Sequence, residues 1–86
     1  MHANFQNTNL DFSTLARASL SQANFTGASL HGVNFTDADL TNADLTTTDL
    51  RFANVKDANL FHANMSNANL SNLRNWEDAM WLAALY

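Results

Sequence analysis

Residues 23–45 read ANFTGASLHGVNFTDADLTNADL, and within them a large apolar residue returns at every fifth place: Phe25, Leu30, Phe35, Leu40 and Leu45. The same step runs back through Leu20, Leu15 and Leu10 to Phe5, and forward through Leu50, Val55, Leu60 and Met65 to Leu70, without a polar exception. Two residues before each stands a small or β-branched residue, as at Ala23, Ala28, Val33, Ala38 and Ala43. Only Asn, Asp, Ser or Thr separates the two rows, whereas the remaining two positions of each pentad accept almost anything, including Gln22, His31, Arg51 and Lys56. This asymmetry divides an inside from an outside.

Neither regular element can use the pattern. Five helical steps of about 100° leave successive large residues roughly 140° apart, so an apolar stripe would wind around the whole helix. In a strand, side chains alternate with period two, and an odd repeat sends successive leucines to opposite faces. What remains is a chain that turns a corner in every pentad and points both apolar rows at one axis, a solenoid. Its coil size stays open: twenty residues per coil stack Leu10, Leu30, Leu50 and Leu70, and fifteen stack Leu15, Leu30, Leu45 and Leu60 equally well.

Stretches such as Ala43-Asp44-Leu45-Thr46-Thr47 and Ala58-Asn59-Leu60-Phe61-His62 resemble the A(D/N)LXX unit of the pentapeptide-repeat family, across fourteen units in unbroken phase from about residue 2 to residue 72. The resemblance implies an all-β solenoid, a right-handed quadrilateral β-helix with four pentads per coil. Fourteen pentads then make about 3.5 coils, roughly 17 Å tall at strand spacing. Such repeats are similar to those abundant in cyanobacteria, which points to a bacterial source.

After Leu70 the phase breaks, with Asn75 where an apolar residue is due and NWEDAMWLAALY following at residues 75–86. Asn75 reads as a helix N-cap, with Glu77 and Asp78 suited to the positive helix start. The expected organisation is therefore a repeat domain over residues 1–72 and a capping α-helix over residues 73–86. At about eleven residues the helix is too short to span a bilayer. Trp76 and Met80 are expected to cover the open coil, leaving Trp81, Leu82, Leu85 and Tyr86 as a candidate dimer or protein-partner surface.

The absence of cysteine excludes disulfides and thiolate metal sites, and no signal peptide is read at the start, so a cytoplasmic location is expected. The net charge of −4 disfavours direct nucleic-acid binding and favours proteins as partners. His2 and His62 fall about 14 Å apart on a twenty-residue coil, too far for one ion, and Gly27 and Gly32 cannot form a phosphate loop. No metal, cofactor or catalytic constellation is expected, and the chain reads as a non-enzymatic scaffold or interaction module. The unpaired coil edge near Phe5 is expected to be resolved either by end-to-end pairing, which makes it a second candidate for dimer contact, or by a segment upstream of this sequence.

Two further surfaces stand out. Asp37, Asp39, Asp44 and Asp49 would form an acidic belt, and some members of the family are known to resemble DNA and bind type II topoisomerases such as gyrase, which makes such mimicry the alternative function. The simpler reading has each Asp alternate with Asn as a backbone cap. In the twenty-residue coil, Phe12, Gly32 and Phe52 share a column beside Asp11, His31 and Arg51, a candidate docking groove over Gly32. Arg17, Asp37 and Asp57 form another column, an expected surface ion-pair ladder.

Overall fold

The computed structural model describes residues 2–81. Among the described residues twelve parallel bridges define the fold, and eleven of them join residues twenty apart, from Asn4 with Asn24 to Asn54 with Arg74. The coil thus holds four pentads. Each side repeats one hydrogen-bond pattern: Phe25 N–H donates to Asp44 O at 2.8 Å, and Asp44 N–H donates back to Ala23 O at 2.9 Å. We number the coils 1 (2–21), 2 (22–41), 3 (42–61) and 4 (62–81).

The large row fills the axis. Phe25, Leu30, Phe35, Leu40, Leu45, Leu50, Val55, Leu60 and Met65 are buried, with the alanines of the small row beside them. Phe25 stacks on Phe5 at 5.0 Å between centroids and meets Phe35, from the opposite side, edge-on at 6.0 Å, so rings from two facing sides fill the lower core. Phe5, Leu10 and Leu15 of coil 1 are only half-buried, having no coil beneath them among the described residues.

The corners hold a feature that the sequence conceals. In each, the N–H of the small residue returns to the carbonyl three residues earlier, as from Ala28 to Phe25 at 2.8 Å, and the residue before it has positive φ. This is the geometry of a type II turn, which favours glycine. Only Gly27 and Gly32 oblige; Phe12, Arg17, Gln22, Thr47 and His62 all take φ between 59° and 64°. An L-residue there costs roughly 1–2 kcal/mol, which the inter-coil hydrogen bonds on either side of each corner offset.

The tail corrects the expected α-helix. Trp76–Asp78 forms a single 3₁₀ turn, and Ala79 is extended. Asn75 lies in the left-handed region without a side-chain cap bond, and its Nδ2 donates instead to Asn54 Oδ1 at 2.8 Å. The chain then rejoins the tower one residue late, with Met80 bridged to Asn59. Coil 3 supplies the reason: Asp57 N–H donates to Asp78 O, Leu60 N–H to Met80 O, and Ala58 O accepts from Met80 N–H. A helix beginning at residue 75 would leave those edge groups without partners, at a cost that one amphipathic turn does not offset. The tower therefore continues past residue 72 to nearly four coils. Residues 82–86 lie outside the described range.

Candidate functional site

The corner between the second and third sides carries the densest group of chemically distinct side chains. Phe12, His31 and Phe52 rise one per coil, with centroids 5.1 Å apart between Phe12 and His31 and 5.5 Å between His31 and Phe52. The Phe12 ring lies against Gly32 of the next coil: a Cβ there would stand 2.6 and 2.7 Å from two ring carbons. The groove expected over Gly32 is thus already filled by Phe12, and the four residues form a ridge of stacked rings instead. Phe12 remains 73% exposed and Phe52 46%.

Two carboxylates border the ridge. Asp49 holds Arg51 through two side-chain bonds, Nε to Oδ1 at 2.9 Å and Nη2 to Oδ2 at 2.8 Å. Asp11 Oδ1 accepts from Ser29 Oγ at 2.5 Å and from His31 N–H at 3.0 Å. Sequence reasoning missed this second role. At most corners the Asn or Asp before the large residue caps the N–H two residues on, as Asn34 does for Thr36 and Asn54 for Lys56. Ser29 caps nothing, so Asp11 of the coil below supplies the oxygen. A serine in the Asn/Asp column, with an aspartate eighteen residues before it and so two places along the coil below, is the signal that would have found it.

The acidic belt resolves into the same capping scheme. Asp39 accepts from both the N–H and hydroxyl of Thr41, and Asp44 likewise from Thr46. The threonine hydroxyl is the main reason each carboxyl lies below its ordinary range, while the Arg51 side chain does the same for Asp49. Asp37 stands apart, exposed at a corner with positive φ. The Arg17, Asp37 and Asp57 column makes no ion pair; among the described residues the salt bridge is Arg51 with Asp49.

The aromatic residues of the tail exchange places relative to expectation. Trp76 and Met80, expected to cover the coil, are 54% and 57% exposed. Trp81 occupies the position above Leu60, partly buried against the core, and its Nε1 donates to Trp76 O at 2.6 Å. The one-residue delay at the 3₁₀ turn produces the exchange, because it moves Trp81 into the large row. Leu82, Leu85 and Tyr86 lie outside the described residues. Among the described residues, no three of His, Cys, Asp and Glu are grouped to hold a metal ion, and no helix is long and apolar enough to cross a membrane.

A four-sided parallel β-solenoid with capped five-residue corners defines the class. The model for pentapeptide repeats matches residues 3–42 and 38–72 with eight copies, and the chain belongs to that family, whose members form right-handed β-helices. Among solved structures it is similar to a pentapeptide-repeat protein of the Arabidopsis thaliana thylakoid lumen, at 40% identity and TM-score 0.72 over 93% of this chain and 62% of that one. It is also similar to one from Nostoc PCC 7120, at 43% identity and TM-score 0.68 over 84% of this chain and 55% of that one. A third, Rfr23 from Cyanothece 51142, is 26% identical at TM-score 0.51, covering 91% of this chain and 63% of that one. The chain thus spans less than two thirds of each. No curated protein matches its sequence.

Proposed function

We propose that the chain is a non-enzymatic rigid scaffold that presents the Phe12–His31–Phe52 ridge to a protein partner. The supporting observation is the ridge itself: stacked rings, two of them substantially exposed, on a backbone bonded from coil to coil. Flat aromatic area that is already ordered loses little side-chain entropy on binding, which favours it as an anchor. The alternative, mimicry of DNA toward a topoisomerase, draws less support, because Asp39, Asp44 and Asp49 each spend oxygens on their own corners.

The test replaces Phe52 with Asn, a residue that tolerates the corner's positive φ. Proteins captured on the wild-type chain from its native host are purified, and their direct binding to both forms is measured by calorimetry. A partner bound by wild type and at least about tenfold more weakly by Phe52→Asn, equivalent to roughly 1.4 kcal/mol, supports the reading. Partners that bind both forms equally place the contact elsewhere and overturn it.

A further inference from the structure

The lower edge of coil 1 carries an unsatisfied pattern of its own. In coils 2 and 3, the residue before each large apolar one turns both N–H and C=O toward the coil below: Asn24 N–H donates to Ala3 O, and Asn24 O accepts from Phe5 N–H. Asn4, Asn9, Thr14 and Ser19 hold the same place in coil 1, where the backbone N–H and C=O of all four lack partners among the described residues. Phe5, Leu10 and Leu15 lie half-buried behind them. The usual protections of a free sheet edge are missing, since the chain has no proline and its first twenty residues contain one Asp, one Arg and no Lys.

We propose that this edge is where a second copy of the chain docks, turned over about a two-fold axis at the Asp11–Phe12 corner. A residue that offers both N–H and C=O to one side makes the hydrogen-bonded pair of an antiparallel ladder, in which two such residues exchange both bonds. Turning one tower over reverses its strand direction and gives that pairing, and the contact is isologous.

The helical rise selects the axis. Two coils of the same hand, one inverted, have parallel ramps, so the gap between them stays constant around the turn. With the axis at the Asp11–Phe12 corner, Asn9 faces Thr14 of the second copy and Asn4 faces Ser19 of the second copy, so all four sides pair in both directions. An axis through the Thr14 side fails: Asn4, half a coil or about 2.4 Å lower, would meet its own counterpart at the same height. An axis nearer the start of the coil leaves sides unpaired.

The side chains are compatible with this arrangement. The Phe12 backbone sits beside its counterpart at the axis, while its ring is turned up against Gly32 and His31 of its own tower and does not block the approach. Arg17 faces Gln6 of the second copy, and Asp11 is turned away toward Ser29 and His31 of its own tower. The molecule measures 27 × 25 × 23 Å, so end-to-end contact covers on the order of 1,000 Å² in total, the lower limit for a specific interface. The inference rests on the coil edge rather than on the partner reading above; the two share the Phe12 corner, and Thr14→Pro, which lies off the ridge, and Phe52→Asn, which lies off the edge, test them separately.

Sedimentation equilibrium of the 86-residue chain is expected to give twice the 9.5 kDa chain mass. Thr14→Pro removes an N–H that has no bond within the tower, so it should give the single-chain mass with an unchanged far-ultraviolet circular dichroism spectrum. Phe12→Asp should do the same through like charges at the axis. Asn9→Cys combined with Thr14→Cys should cross-link two chains on oxidation, in a protein that otherwise lacks cysteine. A single-chain mass for wild type overturns the proposal, whether a different segment or water covers the edge. So does a two-chain mass that survives both Thr14→Pro and Phe12→Asp, or a double-cysteine variant that does not cross-link.

Discussion

Coil 3 and the end of coil 4 follow the same path around the same axis, yet they get there differently. In coil 3 each corner takes five residues, capped by an Asn or Asp and closed on a buried Leu or Val. At the end of coil 4 the last corner takes six residues, its large-row place is held by Asn75, and Trp81 closes it half-buried. Side-chain pattern therefore sets how tightly a corner is made, whereas the exposed edge of the coil below sets whether the chain stays on the tower. The sharpest way to break this contrast is truncation in each region. Phe35→Ala, within the fully buried core, is expected to cost about 3–5 kcal/mol. Trp81→Ala should cost about 1–2 kcal/mol, because its ring is only partly buried. Urea midpoints compare the two, and equal losses would mean that the end of coil 4 is as much core as the middle.

Much of the architecture could be read from residue types alone, because the large row never admits a polar residue between Phe5 and Leu70. Coil size could not, since stacks of twenty and of fifteen residues are equally apolar; the backbone bridges decide it. The left-handed corners stayed hidden for a related reason. Inter-coil bonds stabilise positive φ strongly enough for Phe12, Thr47 or His62 to occupy it, so glycine and asparagine, as at Gly27 and Asn42, mark only some of the turns. The ridge was located by column counting, but its filled groove depended on where the Phe12 ring lies. The tail was misread because Asn75, Glu77 and Asp78 imitate a helix start, while the groups that override them, on Asp57, Ala58 and Leu60, are about twenty residues away in sequence.

Asn75 offers the next test of the contrast. An apolar residue there would complete the pattern of the large row, but Asn75→Leu places a bulky side chain in the left-handed region and removes the bond to Asn54. We expect a loss of roughly 1–2 kcal/mol. The same substitution with Trp76 deleted returns the corner to five residues and puts the introduced leucine in line with Val55. That variant should recover the loss. If Asn75→Leu alone stabilises the chain, the six-residue corner is not what excludes an apolar residue from this place.

The smallest expected effect separates the two regions by charge. Asp39 and Asp44 cap corners of coils 2 and 3, whereas Arg74 and Met80 hold the equivalent places in the last described stretch of coil 4. The threonine hydroxyls hold both carboxyls below their unfolded value near 3.8. A group whose folded pKa is depressed adds stability above its unfolded pKa, and that contribution disappears as pH falls through the folded value. Asn accepts the same backbone N–H bond without titrating, as Asn59 does for Phe61. Asp39→Asn with Asp44→Asn should therefore shift stability at pH 7 by no more than about 0.5 kcal/mol per site. Between about pH 5 and pH 2 the wild type should lose more stability than the double variant, as read by urea midpoints across the range. Hydrogen exchange should place the difference at the N–H groups of Thr41 and Thr46 rather than at Met80; parallel pH profiles for the two proteins would show that the carboxylates cap these corners no better than a neutral amide.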